Sequence, residues 1–157
     1  MGRPTIAAVS DEPSDAARLA AYADALVASI EVSLGPWLVR QVVERAPSLE
    51  AEARLAAARA VETTIPELRA LLSTDIDQQR ATPLQVVREA TRAVTAVLMA
   101  GGVAPPERDE LARTIDRRDL YDLGPASYAD LGPEVAEAGL VWGAAKAHVH
   151  LARRRKL

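Results

Sequence analysis

The chain has 157 residues, no cysteine and a formal net charge of -3. Hydrophobic residues make up 49% of it, which predicts one folded domain and excludes an intrinsically disordered chain. The lack of cysteine excludes disulfides, thiolate metal sites and cysteine nucleophiles, and it favours a cytoplasmic protein. Aromatic residues amount to only 3%, so the core must be built from small aliphatic side chains, which favours closely packed helices.

The N-terminal segment, residues 1–12, lacks the hydrophobic stretch of a signal peptide. We expect it to be mobile and to precede a single helical domain over residues 13–157. The longest run without a charge, residues 93–106, is too short to cross a bilayer. The sequence therefore predicts a soluble protein without a membrane span.

The first helix is predicted from apolar residues that recur at spacings of three and four between Leu19 and Trp37. Ser14 or Asp15 is suited to cap its N-terminus. Because proline cannot donate the hydrogen bond of a helical turn, Pro36 is expected to kink or break this helix.

Two further helical segments precede the middle of the chain. Residues 48–72 are rich in alanine, the best helix former, and Pro66 is expected to bend or divide them. The next helix is predicted to have Thr82 as its N-cap, Pro83 in its first turn and Gly101 just past its end. Its second half is apolar around most of its circumference, so we expect it to be the central helix.

The second half of the chain is predicted to hold a short helix near Pro106–Ile115 and a long one from Pro133 to about Arg155. No segment shows the two-residue alternation of a strand. The sequence therefore predicts an all-α protein, a compact helical bundle of five to seven helices with turns punctuated by Gly-Pro.

Leu-Gly-Pro occurs three times, at 34–36, 123–125 and 131–133. Glycine is suited to end a helix in the left-handed conformation, and proline is suited to begin the next one. We interpret the three copies as helix ends. The alternative is an exposed docking surface around the last two copies, made by Tyr121, Tyr128, Asp119, Asp122 and Asp130, since tyrosine is common at interfaces. The predicted interaction surface joins Arg117 and Arg118 to the two tyrosines.

The two histidines do not form a predicted metal site. His148 and His150 are separated by about 200° around a helix, so their rings point to opposite sides. Asp75 and Asp77 resemble paired magnesium ligands, but they are also ordinary turn and capping residues. Phosphate-binding loops and nucleophile elbows have no match in the sequence, so no catalytic residue, metal or cofactor is predicted.

Small residues on the last helix predict a close helix contact. Gly139 and Gly143 lie one turn apart, with Trp142 beside them as a core or interface anchor. Glycines at this spacing let another helix approach closely. Internal packing is the favoured interpretation, and a homo-oligomeric seam is the alternative.

The last five residues include the four consecutive cations Arg153, Arg154, Arg155 and Lys156. The rest of the chain has 15 basic and 22 acidic residues, a net charge of -7. Cations at a helix C-terminus complement the helix dipole, which explains their position. Because four adjacent cations repel one another, an anion-binding tail stays open as the alternative.

The stretch from Thr82 onward includes "TPLQVVREATRAVTAVLMAGGVAPP", "DLYDLGPASYADL" and "EAGLVWGAAKAHVHLARRR". It resembles an uncharacterised family of small helical proteins from high-GC, actinobacterial-type bacteria. The resemblance covers only this second half of the chain and implies no activity or functional residue.

The function predicted from these observations is that of a non-catalytic, cytoplasmic interaction or regulatory protein. It would dock a protein partner through helical surfaces and the basic C-terminus. The alternative is a nucleic-acid-associated factor that uses the tail to contact phosphates. A third interpretation is an enzyme or ligand-binding protein whose site is assembled from residues far apart in the sequence.

Overall fold

The computed structural model of the protein describes residue 2 and residues 12–107 and 119–157. These residues form four α-helices: α1 (Asp15–Val43), α2 (Glu50–Ser73), α3 (Pro83–Ala100) and α4 (Pro133–Arg155). Two short 3₁₀ turns, Pro47–Leu49 and Tyr128–Asp130, precede α2 and α4. No strand occurs in the described ranges, and the all-α prediction is confirmed. Nearly all of the predicted mobile segment, and the predicted short helix from residue 108 onward, lie outside the described residues.

The prediction of five to seven helices is too high for the part of the chain that the structure describes. Pro36 lies inside α1 and Pro66 lies inside α2, and neither divides its helix. Both prolines are exposed, and so are Val32 and Glu62, whose carbonyls lose their helical partners. Because these positions face solvent, water can take the place of the missing donor, and the helix continues through the proline. The first Leu-Gly-Pro copy consequently does not end a helix.

The central helix is α1, not α3 as the sequence predicted. Its core-facing residues Leu26, Ile30, Leu34 and Leu38 are fully buried at a spacing of four. α1 packs extensively against both α2 and α4, and less extensively against α3, which lies mainly on α2. α3 has apolar residues around most of its circumference, but the bundle covers only one of its faces. Met99, for example, is 57% exposed.

Neighbouring side chains show that α1 runs antiparallel to both of its main neighbours. Arg69 and Ser73, late in α2, line one small cavity together with Ala20 and Asp24, early in α1. His148, late in α4, lies 3.9 Å from Asp15 at the start of α1. One end of the bundle therefore gathers the start of α1, the last turns of α4 and residues 74–82, which we call the connector.

Local capping fixes the starts of the last two helices. The amide of Gln85 donates to the hydroxyl of Thr82 (3.2 Å), and the amide of Thr82 donates to the side chain of Gln85 (2.8 Å). This capping box confirms the predicted start of α3. Gly132 has φ +150°, which favours glycine, and Pro133 is the first residue of α4. The last Leu-Gly-Pro copy thus marks a helix boundary.

By length and composition alone, α1 is apolar enough to cross a membrane, and 39% of its most apolar 18-residue window is buried in the bundle. A core helix of a water-soluble protein has the same properties. The predicted absence of a membrane span therefore stays a prediction.

Candidate functional site

The inner face of α4 completes the core beside α1. Val135, Gly139 and Trp142 are buried there at spacings of four and three. A Cβ built on Gly139 would lie 2.4 Å from the Tyr128 ring, so only glycine leaves room for that ring. Gly143 is exposed, and a Cβ there would meet nothing within 4 Å. The two glycines therefore have different surroundings, and only Gly139 is needed for internal packing.

The opposite side of α4 carries a second apolar row, which we call the α4 outer face. It consists of Leu140, Ala144, Ala147 and Leu151. Leu140 is 75% exposed and Leu151 is 55% exposed, and the two alanines between them are exposed as well. An exposed leucine alone is ordinary, but a contiguous apolar row on one helix is typical of an interaction surface.

The charges at the two ends of the α4 outer face have opposite signs. Glu134 and Glu137 are exposed near its N-terminal end, and Arg154 and Arg155 are exposed near its C-terminal end. Within the described part of the chain none of these four side chains forms an ion pair. The face is therefore an apolar strip with an acidic and a basic end, both free to meet another molecule.

The first cation of the basic tail has an intramolecular role. Arg153 donates to both carboxylate oxygens of Asp75, at 2.9 and 2.8 Å, and also to Asp77. The hydrogen bond from Arg153, assisted by the backbone amide of Asp77, lowers the pKa of Asp75 to about 2. The same pairing raises the pKa of Arg153 above its usual value. Arg153 therefore ties the end of α4 to the connector.

Two more side chains of α4 hold the connector from the same side. The imidazole of His150 lies 3.0 Å from Asp77, and the ammonium of Lys146 donates to Gln79 at 3.1 Å. The Lys146 ammonium also lies 5.1 Å from the centre of the Trp142 ring. The resulting connector clamp consists of Lys146, His150 and Arg153 on α4 and Asp75, Asp77 and Gln79 on the connector.

The connector clamp accounts for the two aspartates and for the first cation of the basic tail. Asp75 and Asp77 pair with a cation of the same chain instead of standing as a free acidic pair. Three cations of the tail, Arg154, Arg155 and Lys156, remain exposed without an ion-pair partner among the described residues.

The two histidines lie beside different carboxylates. His148 approaches Asp15 of α1 at 3.9 Å, whereas His150 lies beside Asp77 of the connector. Among the described residues, no group of three or more side chains is arranged to hold a metal ion.

The structure describes only the two tyrosines of the interaction surface that the sequence predicted. Tyr121 is only 2% exposed, and its hydroxyl donates to the carbonyl of Val103 at 2.7 Å, which corrects its predicted surface position. Tyr128 lies half-buried on α4, and burial raises its pKa to about 12. Arg117 and Arg118 lie outside the described residues.

A cleft of about 730 Å³ lies between α2, α3 and the loop before α4. Of the five charged side chains that line its described part, all except Glu67 are bonded to protein atoms. Arg92 pairs with Glu89 at 2.8 Å, Arg88 donates to the carbonyl of Pro125 at 3.0 Å, and Asp119 accepts two backbone amides at 2.7 and 3.1 Å. No nucleophile with an adjacent base lines the described part of the cleft.

Sequence reasoning missed the α4 outer face, although a signal for it was present. The buried row of α4 follows Val135, Ala138 and Trp142, and this row alone explains how the helix packs on the core. Leu140 and Leu151 belong to a second apolar row that starts between these positions. Two apolar rows on one helix mean that the core covers only one of them.

Comparison with protein-family models, with curated proteins and with solved structures gave no match to this chain. The resemblance of the second half to a family of small helical proteins therefore stays a prediction.

Proposed function

We propose that this protein is a non-catalytic, cytoplasmic interaction or regulatory protein that docks a protein partner through the α4 outer face. One observation carries the proposal: Leu140 and Leu151 are exposed on a helix whose other side is buried in the core. An apolar centre with charges at its rim is the usual arrangement of a protein interface.

The composition of the face favours a helical partner. Complete burial of an exposed leucine contributes about 1.5–3 kcal/mol. Leu140 and Leu151 are each partly exposed, and their exposed areas together slightly exceed that of one fully exposed leucine. The residues between the two leucines on this side of the helix are small: Gly143, Ala144 and Ala147. A partner helix can therefore approach α4 closely there. The face therefore supports a modest affinity that depends on close packing.

Binding of nucleic acid through the tail is less well supported. Arg153 is held by Asp75 and Asp77, which leaves three cations for phosphates and reduces the expected log–log salt slope to roughly -3. The two aspartates also place negative charge next to the tail. Catalysis is less well supported still, because four of the five charged side chains that line the described part of the cleft are bonded to their own chain.

The proposal is tested by photocrosslinking in cells of the native host. Leu140→p-benzoylphenylalanine places a photoreactive group on the α4 outer face. Val32→p-benzoylphenylalanine is the matched control, since Val32 is 72% exposed on α1, a different helix. We expect a discrete crosslinked protein from position 140 and none from position 32. No adduct at 140, or equal adducts at both positions, would overturn the proposal.

A further inference from the structure

We infer that the partner of the α4 outer face is a second copy of this chain, whose α4 packs antiparallel on the first. The inference rests on the proposed function, because it uses the same face. It adds the identity of the partner, the direction of its helix and the register.

The spacing of the apolar residues defines the register. Leu140, Ala144, Ala147 and Leu151 follow steps of four, three and four, the spacing of the core positions of a coiled coil. This pattern is symmetric about a point between residues 145 and 146. An antiparallel copy centred there places Leu140 opposite Leu151 of the second copy, and Ala144 opposite Ala147 of the second copy.

The charges select the antiparallel direction. The same register places Glu137 opposite Arg154 of the second copy, and Glu134 beside Arg155 of the second copy. A parallel pair would instead place glutamate against glutamate and arginine against arginine. The antiparallel arrangement also pairs the dipole of each helix favourably. All four charged side chains lack an ion-pair partner in the described part of their own chain, so they are available.

Two features of α4 keep this face open for a second helix. Gly143 is exposed and lies close to the symmetry point. A Cβ built on it would have no neighbour within 4 Å, so internal packing does not require a glycine at this position. The connector clamp uses Arg153, on the other side of the helix, and holds the end of α4 in place. The clamp therefore positions the helix without covering the outer face.

The dimer is expected to be weak. The contact involves one helix per copy and alanines at its centre, so it is smaller than a standard interface of about 800 Å² per partner. We expect a dissociation constant of roughly 1–100 μM.

Sedimentation equilibrium of the purified full-length chain, from about 1 to 300 μM, tests the inference through charge reversal. In a symmetric dimer each substitution turns two attractions into two repulsions, so Glu137→Arg or Arg154→Glu alone should weaken the dimer about 10- to 100-fold. The double variant Glu137→Arg/Arg154→Glu restores opposite charges in the antiparallel pair and should bring the dissociation constant back to near that of the wild type. In a parallel pair it would rescue nothing.

Glu62→Arg is the matched control, because Glu62 is an exposed acid on α2, away from α4. It should leave the dimer unchanged, and far-UV circular dichroism should show the same helix content in all variants. A monomer at every concentration, a dimer without rescue by the double variant, or equal weakening by Glu62→Arg would each overturn the inference. The photocrosslink at position 140 separates the two proposals. An adduct of twice the chain mass supports both, an adduct of another mass retains only the docking function, and no adduct removes the docking function itself.

Discussion

Two glycines on α4 allow a paired test of the packing. Gly139→Ala and Gly143→Ala make the same chemical change one helical turn apart. At position 139 the new Cβ would lie 2.4, 2.8 and 2.9 Å from three atoms of the Tyr128 ring. At position 143 nothing lies within 4 Å. The two variants should therefore change the free energy of unfolding in opposite directions.

The magnitudes follow from two opposing effects. Alanine in a helix interior is more stable than glycine by about 0.5–1 kcal/mol, so Gly143→Ala should raise the free energy of unfolding by that amount. Gly139→Ala has the same helical gain, but the ring must be displaced. One of the close atoms is Cγ of Tyr128, which lies on the axis of ring rotation, so a turn of the ring about the Cβ–Cγ bond does not move it away. Overpacking of this kind typically costs 1–3 kcal/mol, so we expect a net loss of about 0.5–2 kcal/mol.

Urea unfolding followed by circular dichroism measures both variants, at a protein concentration of about 1 μM, where the expected dimer contributes least. A third variant, Tyr128→Ala, is the control background. Without the ring, Gly139→Ala should stabilise the protein as much as Gly143→Ala does. An unfolding midpoint of Gly139→Ala equal to or above that of Gly143→Ala in the presence of Tyr128 would refute this account of the packing.

Three further predictions concern the clamp and the core. Arg153→Gln should lower the melting temperature more than Arg155→Gln, because only Arg153 is held by carboxylates; equal effects in thermal unfolding would contradict the clamp. The pKa of Asp75 is about 2 in the folded chain and near 3.9 when unfolded, so its contribution to stability is present above about pH 4 and is lost as the pH falls towards 2. Asp75→Asn should remove that part of the acid dependence in unfolding curves at pH 2–5, and an unchanged dependence would count against the pairing. The hydroxyl of Thr95 is buried without a partner among the described residues, so Thr95→Val should raise the free energy of unfolding by about 1 kcal/mol, and a loss of stability in urea would show that the hydroxyl is bonded.

The helix boundaries that depend on local chemistry could be predicted from the sequence. The start of α3 follows from the reciprocal bonds between Thr82 and Gln85, three residues apart. The start of α4 follows from Gly132 and Pro133. Such signals involve residues close in sequence, so they do not depend on how the helices pack.

The features that depend on packing could not be predicted. Whether Pro36 breaks a helix depends on whether it faces water or the core, and the sequence does not show which. Arg153 and Asp75 are 78 positions apart, so nothing local links the basic tail to the acidic connector. The different roles of Gly139 and Gly143 likewise depend on where Tyr128 lies.

The central claim, that α4 docks antiparallel on a second copy, is tested most directly by disulfide crosslinking. The chain has no cysteine, so each introduced thiol is unique. Oxidation of a mixture of Leu140→Cys and Leu151→Cys chains should give a crosslinked dimer, because these positions face each other. Leu140→Cys alone should give almost none, since its two copies lie 11 residues apart along the helices, roughly 16 Å, beyond the reach of a disulfide. Crosslinking of Leu140→Cys with itself, or none in the mixture, would contradict the account.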